Sequence, residues 1–185
     1  MNTALDPDDP HALAQAAQAG DADAAHRLAV LAAMGLGRPQ DWHAALKRLT
    51  QAADLGHATA ERQLALLSSG AGIDIAAWLT PPAPRMLSQG PAIFAFEGFL
   101  PDAVCDWLKD RARTVTEPAL VYDPDTGAGR RESVRTNAAA QFALERMDVV
   151  LAVVRERIAR AAGLPPTSGE KWVLSQWLRG RAPHA

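Results

Sequence analysis

The chain has 185 residues, of which 48% are hydrophobic, enough for one ordinary domain with a small second one and a buried core. Its formal net charge is −2 with no long block of either sign, so the basic footprint of a nucleic-acid binder is missing. The single cysteine, Cys105, excludes an intrachain disulfide and a multi-cysteine zinc site; it points to a reducing compartment.

Acidic residues at Asp6, Asp8 and Asp9 stand where a secretory signal would carry positive charge. No apolar run approaches the roughly 18 residues of a membrane span. The expectation is a soluble, cytoplasmic protein.

Residues 10–70 repeat themselves. The run from Gly20 to Leu31 recurs from Gly56 to Leu67, keeping a glycine, two alanines, a Leu-Ala pair and a final leucine. Glycine ends one helix, small alanines let the next pack closely, and leucines at i, i+3 face a shared core. Asp9 before Pro10 predicts a capped helix through Ala19, and Asp41 caps a helix carrying Ala45, Leu46, Leu49, Ala52 and Ala53. About four helices are expected. His26, His43 and His57 lack the spacing of a metal pair and are read as surface or helix-end residues.

Gly70, Gly72, Pro81, Pro82, Pro84, Gly90 and Pro91 mark a boundary with one short helix near Ile73 to Leu79, where Trp78 packs at the junction of two docked modules. Beyond it, Ile93 to Phe96 forms a strand-like run. A helix from Asp102 to Val115 follows, with Val104, Trp107, Leu108, Arg111, Ala112 and Val115 on one face. Cys105 lies off that stripe and reads as inert. Ala119 to Tyr122 predicts a strand, and Asp123 with Asp125 a turn rather than a calcium loop, because later acidic ligands are missing.

Arg130 and Arg131 are loop charges, and Ser133 to Asn137 suggests another strand. Met147, Val150, Leu151, Val154, Ile158 and Ala162 trace a long helix ending at Gly163. Arg155, Glu156, Arg157 and Arg160 form its solvated face, and Lys171 to Leu178 suits a buried strand.

Two family resemblances rest on these residues. Ala16-Ala17-x-x-Gly20, Leu28-Ala29, Gly35-x-Gly37 and Ala52-Ala53-x-x-Gly56 resemble Sel-one-like repeats, relatives of the tetratricopeptide repeat. Such repeats imply a protein partner on a concave surface, or else a structural cap on the second module. Arg135-Thr136, Arg157-Ile158, the Gly163 to Gly169 loop and Glu170 resemble, in order and spacing, the entry to a prolyl 4-hydroxylase-like dioxygenase domain.

Together the resemblances imply an α+β chain: antiparallel helical repeats (1–70), a Pro/Gly-rich linker with a short helix (71–91), and the N-terminal part of a double-stranded β-helix oxygenase domain (92–185). The full-length family implies Fe(II) and 2-oxoglutarate, held by a His-x-Asp and a distant His. Trp177 stands at the family's tyrosine and Gly180 at its glycine; His184 is out of register and has no Asp after it.

The expectation is therefore a front portion without catalytic, cofactor-binding or metal residues, inactive as this chain and carrying no bound cofactor. A truncation, frameshift or fragment accounts for the missing ligands, and the apolar 171–178 strand is expected to favour self-association. The alternative is a non-catalytic interaction module using the helical repeats. No nucleic acid and no membrane are expected as partners.

Overall fold

The computed structural model describes residues 9–118, 120–122, 126, 129–130 and 138–163. Four helices come first: α1 (Pro10–Gln18), α2 (Ala22–Met34), α3 (Trp42–Asp54) and α4 (Ala58–Leu67). Each opens on a side chain that accepts from a first-turn N–H: Asp9 from His11, Asp21 from Ala24, Asp41 from Ala44, and His57 through Nδ1 from Ala60. The sequence offset of 36 is also geometric. Gly20 and Gly56 both take left-handed φ, of 98° and 87°. Asp21 and His57 are both caps, and the Ala24–Ala60 and Leu31–Leu67 pairs are both buried.

Helix α2 packs on α1 and α3, and α3 packs on α4. Alanines make this close approach feasible. Ala25, Ala29, Ala45, Ala52 and Ala60 are fully buried around Leu49 and Val30. A short helix α5 (Ile75–Leu79), capped by Asp74, comes next.

The following stretch departs from the expected linker. Its second half is a strand, β1 (Arg85–Gln89), paired antiparallel with β2 (Ala92–Ala95) so that Met86 faces Phe94. Glycine and proline at 90–91 make the turn of this hairpin. Met86, Leu87, Ile93 and Phe94 remain about half exposed on it.

Helix α6 (Asp102–Arg113) buries Val104 and Trp107, as its apolar stripe predicts, and ends two residues before Val115. Two further antiparallel pairs lie beyond it: β3 (Thr116–Pro118) with β6 (Ala138–Ala140), and β4 (Val121–Tyr122) with β5 (Gly129–Arg130). The chain is thus α+β, with small separate sheets among the described residues. The strand expected at Ser133 to Asn137, the Asp123–Asp125 turn and the Lys171–Leu178 strand lie outside the described residues.

A 3-10 turn (Leu144–Arg146) leads to α7 (Val149–Ala161). This helix packs on α2, α4 and α5, and Val149, Val150 and Val153 are completely buried there. One apolar core therefore runs from the first helices into α7. Among the described residues no helix is long and apolar enough to cross a membrane.

Candidate functional site

Among the described residues no group of three or more His, Cys, Asp or Glu side chains is placed to hold a metal ion. His26 and His57 do come together, with Asp23 beside them. Their rings stack at a centroid distance of 4.4 Å and an interplanar angle of 19°. The Nδ1 of His57 accepts from Ala60 N–H at 3.1 Å, its Nε2 lies 3.4 Å from Asp23 Oδ1, and His26 Nε2 lies 2.8 Å from Gln63 Nε2. Nδ1 of His57 is taken up by the cap, the His26 Nε2 faces Gln63, and Asp23 is 95% exposed, so this trio is a cap and a stack rather than an open facial site for iron and 2-oxoglutarate. The implied cofactors have no fitting ligand set here.

These residues instead build a polar seam where α4 and α6 meet the start of α7. Gln63, fully buried, donates its amide toward His26, and its Oε1 accepts from Val149 N–H at 2.9 Å. Asp148, 1% exposed, caps α7 by accepting from Leu151 N–H at 2.7 Å. It also accepts from Trp107 Nε1 at 3.3 Å. Arg111 Nε lies 3.1 Å from Asp148 Oδ2, without the alignment of a hydrogen bond.

The guanidiniums of Arg62 and Arg111 lie 5.0 and 5.6 Å from the Trp107 ring centroid, within cation–π range. Burial raises the Asp148 pKa, against the Leu151 N–H and Arg111, which lower it. Burial also lowers His26 to about 4, helped by the His57 ring, Arg111 and Arg27 and opposed by Asp23.

His26 therefore differs from the surface or helix-end reading: it sits inside α2, half-buried, against Gln63 of α4 and the His57 ring. His57 is a helix-end residue as expected. The expected solvated face of α7 also needs correcting. Glu156 is 5% exposed and pairs with Arg160 at 2.8 Å. Arg157 donates to the carbonyls of Ala77 (3.1 Å) and Trp78 (2.5 Å) and sits 5.2 Å from the Phe99 ring. It ties α5 to α7. Trp78, whose Nε1 donates to Leu67 O at 2.8 Å, lies against the shared core at this junction.

Cys105 is half-buried and free. Arg135, Thr136, Asn137, Glu170, Trp177, Gly180 and His184 lie outside the described residues.

Sequence reading missed Asp148 and Gln63. An Asp directly before the apolar run Val149 to Val154 is a cap signal. Gln63 carries no comparable local signal, because its partner is 86 residues away.

No protein-family model and no solved structure matches the chain. Curated plant proteins do. Probable prolyl 4-hydroxylase 7 of Arabidopsis thaliana is 31% identical over 106 residues, covering 56% of this chain and 33% of that protein. Probable prolyl 4-hydroxylase 6 is 32% identical over 107 residues, and prolyl 4-hydroxylase 2 is 27% identical over 103, both of the same organism and both again covering 56% of this chain. The chain covers 37% and 34% of those two proteins, about a third of the length of the relatives it matches. This likeness supports a prolyl 4-hydroxylase-like domain over about half of the chain.

Proposed function

We propose that these residues are the front portion of a prolyl 4-hydroxylase-like Fe(II)/2-oxoglutarate dioxygenase, preceded by Sel-one-like repeats. The 31% identity over 106 residues carries this reading. The small antiparallel sheets after α5 are then entry strands of a double-stranded β-helix. The iron ligands belong to sequence outside these 185 residues, since none of the five histidines is followed by x-Asp.

Sequencing the DNA beyond codon 185 in all three frames tests the proposal. The expected result is a His-x-Asp and, some tens of residues later, a His followed by Arg or Lys. Three frames without them, together with a native mass of 19.7 kDa, would overturn it. The 185 residues alone, given Fe(II) and 2-oxoglutarate, should release no succinate above blank; robust turnover would mean that an iron site is present after all.

A second reading, a non-catalytic interaction module, is favoured by one feature of the helical pairs. A groove of about 570 Å³ lies among Pro10, Leu28, Leu31, Arg38 and Trp42, and among the described residues the buried Trp42 Nε1 has no acceptor. This reading predicts a cooperatively folding chain that holds a protein partner through residues 10–70. An aggregated or molten product would count against it.

A further inference from the structure

The seam between α4 and α7 fixes which ring nitrogen of His26 carries the proton. Val149 N–H can only donate, so the Gln63 atom facing it is the carbonyl oxygen, at 2.9 Å. The amide nitrogen of Gln63 therefore faces His26 Nε2, at 2.8 Å, as the donor. Nε2 accepts, and the proton of the neutral ring sits on Nδ1.

A second proton on His26 breaks this chain of donors. An Nε2–H would then oppose the Gln63 amide nitrogen, donor against donor. Flipping the amide only moves the conflict, because its nitrogen would then face Val149 N–H. Gln63 and Val149 are both completely buried and His26 is half-buried, so water reaching the ring edge does not replace the acceptor lost at the Gln63 amide or at Val149 N–H in the packed state.

We propose that His26, Gln63 and Val149 form a proton-sensitive latch, in which Gln63 holds the first turn of α7 only while His26 is neutral. His26 is thus a positioning residue acting through Gln63. The latch stands independently of the oxygenase reading.

The charged surroundings set its direction. Arg27 on the same helix, Arg111 of α6 and the stacked His57 all oppose a proton on His26, and only Asp23, which is 95% exposed, favours it. Because the pKa in the fold, about 4, lies below the ordinary 6.5, the unfolded chain binds more protons between those values. The latch's contribution is fully present above about 6.5 and is lost as pH falls toward about 4. Asp148 works in the opposite sense: its raised pKa means the fold binds that proton more readily than the unfolded chain, which favours the fold at low pH.

The test is an NMR titration of the His26 ring in the full chain, with amide exchange of Val149 to Leu151 followed from pH 7.5 to 4.5. The expected result is the Nδ1–H tautomer at neutral pH and an opening equilibrium that rises on the order of 100-fold across the window, after correction for intrinsic exchange. His26→Gln, whose amide oxygen accepts without titrating, should keep the protection and flatten its pH dependence. Gln63→Glu, whose carboxylate accepts from both sides, should raise the His26 pKa above 6.5 and reverse the dependence. A wild-type His26 titrating near 6.5, or an undiminished dependence in His26→Gln, would overturn the latch. The ring titration and the Gln63→Glu variant decide the matter even if His26→Gln does not fold.

Discussion

Asp148 concentrates more of the junction in one side chain than any of its neighbours. It caps α7 through Leu151, accepts from Trp107 and lies against Arg111 while only 1% exposed. Replacing it with alanine strands a buried indole N–H, takes the carboxylate from beside Arg111, which keeps its bond to the Arg146 carbonyl, and removes a helix cap, so Asp148→Ala should cost about 2–4 kcal/mol. Asp148→Asn keeps an oxygen for Leu151 and should cost about 1–2 kcal/mol. Urea midpoints at unchanged slope measure both; a loss of under about 0.5 kcal/mol for the alanine variant would show that the seam contributes little. Asp148 was legible in principle as an acid before an apolar run, but Met147 continues the helical spacing and draws the predicted start past the cap. His26 and Gln63 were not legible. Gln63 answers to Val149 of α7, 86 residues away, and the half-buried His26 to Gln63 of α4 and its cap His57, so nothing local marks either one.

Helix ends were the most readable elements, because caps act over three or four residues. Asp9, Asp41 and Gly163 stand where the sequence puts them. The end of α2 shows why Gly35 is needed. With φ at 70° it closes the helix through its own N–H to Leu31 O, Leu36 N–H reaches the same carbonyl, and the loop returns with Asp41 N–H on Ala32 O. A Cβ at Gly35 would stand 3.1 Å from Gln40 N, and left-handed φ adds its own cost. Gly35→Ala should therefore lose about 1–2 kcal/mol, or about 2–8 °C in Tm for a chain of this size. Gly20→Ala, where the Cβ meets nothing within 4 Å, should lose less; equal losses at the two positions would deny any role to the Gln40 contact. Strand β1 was illegible for the converse reason. Arg85 to Gln89 is bracketed by prolines and glycine, and only pairing with β2 makes it a strand.

At the scale of the molecule, composition separates a helical first part from a mixed second part, yet it does not reveal that the two share a core. Helix α7 brings Val149, Val150 and Val153, all at 0% exposure, onto α2, α4 and α5, and Arg157 ties it to the carbonyls of α5. The first four helices and α7 should consequently unfold as one unit. Far-UV circular dichroism and tryptophan emission, which sample helices and the Trp42, Trp78 and Trp107 environments, should trace one coincident urea transition. Val153→Ala removes two buried methyl groups and leaves a cavity, a loss of about 2 kcal/mol. Amide exchange then distinguishes a shared core from two neighbouring ones. In a shared core the substitution in α7 lowers the protection of α2 and α4 amides by the same free energy as those of α7. If α7 opens while Val30, Leu31 and Leu67 keep their full protection, the helical pairs are stable without it, and α7 is a lid on them rather than part of their interior.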